Sequence, residues 1–109
     1  MPRYMVQAAY TAEAAAAFAS KPQERTTGIR SLLERMGAQM DSLDYCLGDY
    51  DIVVTYTAPD DTTAVAVALA VLAPGHLRAY KTTKLLSQEE FLEASRKASG
   101  AGYQGPSQG

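Results

Sequence analysis

The chain has 109 residues, the size of one domain, and its apolar share of 47% and charged share of 20% are ordinary for a globular protein. Its net charge of −2 argues against a surface that wraps phosphate backbones or holds an anionic membrane. We therefore expect neither nucleic acid nor a membrane among its partners.

The first third of the chain predicts a strand followed by an interrupted helix. Residues 3–10 alternate in the way of a strand, and the alanine-rich residues 12–19 predict a helix. Pro22 interrupts a continuous helix, so we expect a second helical segment over residues 24–36. Gly37 then provides a left-handed C-cap.

The middle of the chain predicts a β-hairpin. Residues 39–47 and 50–57 are the expected strands, and Gly48 and Asp49 suit the left-handed angles of a two-residue turn between them. Cys46 falls within the first of these strands, where a cysteine is usually a small buried hydrophobe. Because it is the only cysteine, no intrachain disulfide is possible, and we expect a cytoplasmic protein.

The helix predicted after the hairpin, over residues 63–73, is apolar on every side. Such a helix is normally buried on more than one side, so we expect part of it to meet a partner subunit or the C-terminal segment. Its apolar run has about half the roughly 20 residues that a bilayer span needs.

The last part of the chain predicts a fourth strand and a short helix. Residues 76–86 form the strand, and the SQEE run over residues 87–90 is a capping box that begins the helix. We expect one folded domain over residues 1–97 and a disordered Gly/Ser/Gln-rich tail over residues 98–109.

The run LGDYD over residues 47–51, followed by IVV and then by APDD at residues 58–61, resembles the GYD domain family of small bacterial proteins. The similarity extends over about residues 1–97, although Asp49 is inserted between the Gly and the Tyr of the family signature. The resemblance implies a ferredoxin-like β-α-β-β-α-β domain, with a four-stranded antiparallel sheet, that dimerises as an α/β barrel. The α+β order of elements read from the residues agrees. The resemblance implies no particular activity.

The fourth predicted strand carries the densest polar group in the chain. His76, Arg78, Tyr80, Thr82 and Lys84 alternate, which predicts that they share one face of the strand. In a catalytic interpretation His76 moves protons, while Arg78 and Tyr80 hold developing negative charge. The ordinary alternative is a solvated face near a sheet edge, and we favour this interpretation.

Aromatic and acidic residues on the other strands supply candidate ligand-binding residues. Tyr4, Tyr45 and Tyr56 lie on three different strands, where they fill a core or line a cavity. Asp49 and Asp51 flank Tyr50 at the hairpin, and turn chemistry explains this pair better than a metal or general-base role. No cofactor fingerprint or Cys/His metal spacing occurs in the sequence, so we expect neither a cofactor nor a metal.

Two functions remain open from the sequence. One is an oligomeric binding module whose helix-sheet pocket holds a small, partly apolar metabolite. The other is a cofactor-independent enzyme, of the monooxygenase or isomerase type, that uses His76 with Arg78 and Tyr80.

Overall fold

The computed structural model describes residues 1–106. Its elements follow in the order β1 (Arg3–Tyr10), α1 (Ala12–Ser20), α2 (Thr26–Arg35), β2 (Gln39–Tyr45), β3 (Ile52–Thr57), α3 (Asp61–Leu72), β4 (Leu77–Leu85) and α4 (Gln88–Ser99). The four strands form one antiparallel sheet in the order β2-β3-β1-β4. This confirms the predicted α+β, ferredoxin-like fold. No helix among residues 1–106 has the length and apolar character that crossing a bilayer requires.

The first crossover contains two helices, as the proline predicts. The Thr11 side chain caps α1 by accepting a hydrogen bond from the Ala14 backbone N–H at 3.1 Å. Helix α1 ends before Pro22, since the residue that precedes a proline is pushed out of the helical region. After α2, Gly37 adopts a left-handed φ of 76°, and the following N–H of Ala38 donates to Leu33 at 2.8 Å.

The core lies between the helices and one face of the sheet. Alternate residues of β1 pair with alternate residues of β3 in register, Val6 standing opposite Val54. These residues are buried, together with Leu33 from α2 and Val67 from α3. The period-two pattern of the two central strands therefore produces one fully apolar face, and the helices cover it.

The connection between β2 and β3 differs from the predicted two-residue turn. It spans residues 46–51, and Gly48, with a φ of 131°, is its only residue with a positive φ. The physical reason is Asp51, whose backbone N–H donates to the Ala8 carbonyl at 2.8 Å and whose side chain accepts from the Tyr10 N–H at 2.8 Å. Because these bonds hold Asp51 beside β1, the loop must be wider than a two-residue turn.

Cys46 is also not the buried strand residue that we predicted. It lies in the loop after β2, is exposed, and donates its thiol to the Tyr50 carbonyl at 3.1 Å.

Helix α3 buries only one of its sides within the described chain. Asp60 caps it by accepting from the Thr63 N–H at 2.9 Å. Ala64 and Val67 face the core, whereas Val65 and Leu69 are exposed. The outer apolar side of the helix is therefore not covered by residues 1–106.

Helix α4 has the predicted capping box but is longer than expected. The Glu90 N–H donates to the Ser87 hydroxyl at 3.0 Å, and the Ser87 N–H donates to the Glu90 carboxylate at 2.9 Å. The helix includes residues 98 and 99, which we had assigned to the disordered tail. Disorder from residue 100 to residue 106 stays a prediction, and residues 107–109 lie outside the described part of the chain.

Helix α4 projects from the folded body. None of its residues is buried, and Phe91 is 67% exposed. The radius of gyration is 18.1 Å, against about 13 Å for a compact domain of this length. The helix thus depends on its own caps and side-chain pairs more than on packing.

We predict that Ser87→Ala will destabilise α4 by about 1 kcal/mol, because it removes the acceptor for an N-terminal N–H. Amide hydrogen exchange across α4 should quicken by about fivefold as a result. Ser95→Ala is the matched control, since the Ser95 hydroxyl donates only to the Phe91 carbonyl of its own helix. Equal exchange rates in the two variants would contradict a role for the capping box.

Candidate ligand-binding cavity

A cavity of about 400 Å³ lies between the sheet and helices α1, α2 and α3. Most of its lining residues are apolar, and they come from β1, α1, α2, β3, α3 and β4. They are Val6, Ala8, Ala14, Ala17, Phe18, Ile29, Leu32, Leu33, Ile52, Val54, Val67, Ala70, Val71 and Leu77. The alanines of α1 and α3 explain why the space stays open. Their methyl groups cover the sheet without filling the volume that a leucine at the same position would occupy.

The polar residues of the cavity separate into two groups. Three tyrosines contribute phenol side chains, namely Tyr10, Tyr56 and Tyr80. The remaining polar lining residues are exposed, and they mark the side on which the cavity opens: Glu13, Gln23, Arg25 and His76. The interior is therefore neutral, and the charged side chains stand at the entrance.

The tyrosines of the cavity are held in their neutral form. Burial, with a smaller contribution from the neighbouring Tyr56, raises the pKa of Tyr80 to about 12. Burial also raises the pKa of Tyr56 above its ordinary value, as it does that of Tyr10. Near neutral pH these phenols offer hydrogen-bond donors and no negative charge.

Tyr4 forms a second layer behind Tyr56. The two rings stack with centroids 5.4 Å apart, and the Tyr4 hydroxyl donates to the Asp61 carboxylate at 2.6 Å. Asp61 also forms an ion pair with Lys84 at 3.1 Å. The hydrogen bond from Tyr4, followed by that from Lys84, lowers the pKa of Asp61, while burial and Asp61 raise the pKa of Tyr4 to about 12. Tyr4 positions the wall and does not itself line the cavity.

The proposed catalytic group is only partly brought together. His76 and Tyr80 line the cavity, whereas Arg78 is exposed and does not. A bulge causes the separation: Ala9 stands opposite Ala79 while Tyr10 stands opposite Leu77, which leaves Arg78 as an extra residue. The simple alternation that we predicted from His76 to Lys84 is therefore broken at Arg78.

The beginning of β4 is consequently out of phase with the rest of the strand. Tyr80, Thr82 and Lys84 keep the shared face, because they stand opposite Ala8, Val6 and Tyr4 of the buried face of β1. Of this face, only Tyr80 lines the cavity, and Leu77, not Arg78, lies beside it in the lining.

The candidate residues of the hairpin lie apart from this cavity. Tyr45 is 54% exposed, and with Asp51 it lines a second, more open depression. This depression shares Tyr10, Phe18, Gln23 and Arg25 with the first. Asp49 is exposed and Tyr50 is half-buried, and neither lines the two depressions.

The geometry of the hairpin acids supports a structural role for Asp51, whose carboxylate satisfies the Tyr10 N–H. Among residues 1–106, no three or more His, Cys, Asp or Glu side chains are grouped so that they hold a metal ion.

The lining includes residues that the sequence did not single out, among them Tyr10, Phe18 and Arg25. Tyr10 continues the alternation of Tyr4, Val6 and Ala8, so the strand period was a signal that it faces the helices. Phe18 packs edge-on against Tyr10 with ring centroids 5.0 Å apart. Arg25 precedes α2 in the segment after the proline, where no periodic pattern indicates the direction of a side chain.

Comparison with known proteins identifies the family. The model of the GYD domain family matches residues 4–95, which is most of the chain. The protein belongs to the GYD domain family. No curated protein matches the sequence significantly.

Two crystal structures share the fold of this GYD domain. That of MtbAldR superposes with a TM-score of 0.58 at 15% sequence identity, covering 80% of this chain and 52% of MtbAldR. That of FFRP-DM1 gives a TM-score of 0.51 at 10% identity, covering 79% of this chain and 100% of the other. The chain spans about half the length of MtbAldR. At these identities the similarity establishes the fold alone.

The half-buried phenol of Tyr80 predicts a loss of stability at alkaline pH. Its folded-state pKa of about 12 lies above the ordinary tyrosine pKa of 10.0, so the folded state favours the protonated form. This contribution is complete below about pH 10 and is lost as the pH rises toward about 12. In urea unfolding experiments, Tyr80→Phe should therefore show a shallower alkaline decline than the wild type. Tyr103→Phe, at an exposed position, should follow the wild type. Identical declines in all three proteins would contradict the prediction.

Proposed function

We propose that this GYD domain is a binding module that holds a small, largely apolar metabolite in the cavity between its helices and sheet. The cavity itself is the observation that carries the proposal. Its volume of about 400 Å³ falls within the range of roughly 300–1,000 Å³ in which ligand pockets occur. An apolar lining with a few fixed polar groups is the usual composition of such a site.

The alanine-rich helices support the same proposal. An empty apolar space lowers the stability of a protein, since its lining loses van der Waals partners. A bound apolar molecule restores those contacts, and its binding to the folded state alone stabilises the protein.

The catalytic alternative receives less support from the geometry. It requires a proton carrier and a group for developing negative charge at one place. His76 and Tyr80 share the cavity, but the bulge directs Arg78 elsewhere. The arrangement therefore favours binding over a reaction that uses all three residues.

We further propose that the domain self-associates through the sheet face opposite the helices. Side chains of the two central strands on that face are only partly covered, including Met5, Gln7, Val53 and Thr55. A domain of this size buries a relatively small share of its surface, so covering this face with a second copy adds stability. The cytoplasmic location is likewise a proposal, which rests on the single cysteine.

The cavity is tested by filling it. Ala70→Phe on α3 places a ring in the cavity, and it should abolish the thermal stabilisation that the wild type gains from a panel of apolar acids, phenols and ketones. Ala66→Phe is the control, since Ala66 lies on the same helix but is exposed and outside the lining. The proposal is wrong if no compound stabilises the wild type, or if both variants respond alike.

Self-association is tested by charge insertion and sedimentation velocity. Val53→Arg should shift the protein toward monomers, because two copies would bury unpaired guanidinium groups at the interface. Ala16→Arg places the same charge on the exposed side of α1 and should leave the association unchanged. A monomeric wild type at about 100 μM, or dissociation by Ala16→Arg only, would contradict the proposed interface; circular dichroism verifies that both variants fold.

A further inference from the structure

One buried polar atom of the cavity wall has no hydrogen-bond partner. Tyr56 is 1% exposed, and within residues 1–106 its hydroxyl is the one buried side-chain polar atom left without a partner. The great majority of buried polar groups in proteins are hydrogen-bonded, and leaving one unsatisfied costs about 1–3 kcal/mol. A binding site is one place where such a cost is retained, because a ligand supplies the missing partner.

The position of this hydroxyl is fixed by its neighbours. The Tyr56 ring stacks on Tyr4, and the hydroxyl of Tyr4 is in turn bonded to Asp61. The ring is also part of the buried core cluster and lines the cavity. Because this packing keeps the side chain from turning to solvent, the hydroxyl is an oriented group within the cavity wall, and a ligand oxygen reaches it by displacing a neighbouring side chain slightly.

The electrostatic surroundings define which chemical group fits it. The charged lining residues, Glu13 and Arg25, are exposed. A carboxylate carried into the interior would lose its hydration, and residues 1–106 place no buried cation there to compensate, which is strongly unfavourable. A neutral carbonyl oxygen avoids this penalty and accepts a hydrogen bond from a phenol, which is a better donor than acceptor.

We infer that the cavity selects a neutral carbonyl compound with an apolar ring body, whose oxygen accepts a hydrogen bond from the Tyr56 hydroxyl. This inference rests on the proposed binding function and specifies its ligand class. The apolar body of the ligand occupies the space beneath α1 and α3, and its carbonyl lies against the stacked tyrosines.

The test uses three matched probes: tetralin, which is a bicyclic hydrocarbon, 1-tetralone, which adds a carbonyl, and 1-tetralol, which has a hydroxyl in its place. Calorimetry measures their affinity for the wild type, for Tyr56→Phe and for Tyr45→Phe. Replacing Tyr56 should lower the affinity for 1-tetralone about tenfold, which is the contribution of one hydrogen bond. The affinity for tetralin should stay unchanged. Tyr45→Phe, outside this cavity, should change neither affinity. Comparing the wild type with each variant for the same ligand cancels the hydration of that ligand.

The stability of the unliganded protein provides an independent readout. If the Tyr56 hydroxyl had a hydrogen-bond partner in the protein, replacing Tyr56 with phenylalanine would lower the free energy of unfolding. If it has no such partner, the replacement should not lower it. We therefore expect Tyr56→Phe to unfold at the same or a higher urea concentration than the wild type. A clear loss of stability would overturn the inference.

The remaining outcomes separate the two proposals. If Tyr56→Phe binds tetralin and 1-tetralone as the wild type does, the carbonyl inference is wrong while the binding cavity stands. If Tyr56→Phe lowers the affinity for 1-tetralol only, the Tyr56 hydroxyl recognises a ligand hydroxyl, and the inference of a carbonyl ligand is wrong. If the wild type binds none of the three, the carbonyl inference is wrong, and the proposed function is overturned as well only when the wider panel of acids, phenols and ketones also fails to stabilise the protein.

Discussion

The apolar face that β1 and β3 create together is the constraint on which the rest of the molecule depends. In-register pairing places Val6 against Val54 and Tyr4 against Tyr56 on one side of the sheet. That side must be removed from water, and the chain covers it with helices rich in alanine. Alanine is the strongest helix former but brings little volume. The alanines that stabilise these helices therefore also leave the cavity beneath them.

Polar groups around this face are arranged so that the apolar wall stays rigid. The stacked tyrosines are tied through Asp61 to Lys84 on β4, which connects the first strand, the start of α3 and the edge of the sheet. On the opposite side of the domain, Asp51 links the hairpin loop to the end of β1 through the Tyr10 N–H. Both acids are structural supports for a neutral interior, and this arrangement suits recognition better than proton transfer.

Local signals allowed most of the fold to be predicted from the sequence. The alternation in β1, the break at Pro22, the positive φ of Gly37 and the capping box of Ser87 each depend on a few neighbouring residues, and each appears in the structure. The predictions that were wrong involve contacts between segments that are distant in the sequence. The turn after Cys46 was read as a short hairpin because the bonds from Asp51 to Ala8 and Tyr10 span about 40 residues.

The candidate site was predicted less completely for the same reason. Tyr56 and Tyr80 follow from strand periodicity, but the bulge that separates Arg78 from them arises from pairing with β1 and has no signature within β4. The cavity also requires three helices to leave a space, which no single segment encodes. Arg25 at its entrance was missed because the segment after Pro22 is irregular.

The extra residue in β4 has an evolutionary consequence. Because Arg78 is the additional residue, a chain that lacked it would keep Leu77 opposite Tyr10 in a regular ladder, still facing the helices. A one-residue deletion between Tyr80 and Lys84 would instead exchange the two faces of the residues on one side of the deletion. Changes in the length of β4 are therefore tolerated at the bulge and disruptive elsewhere in the strand.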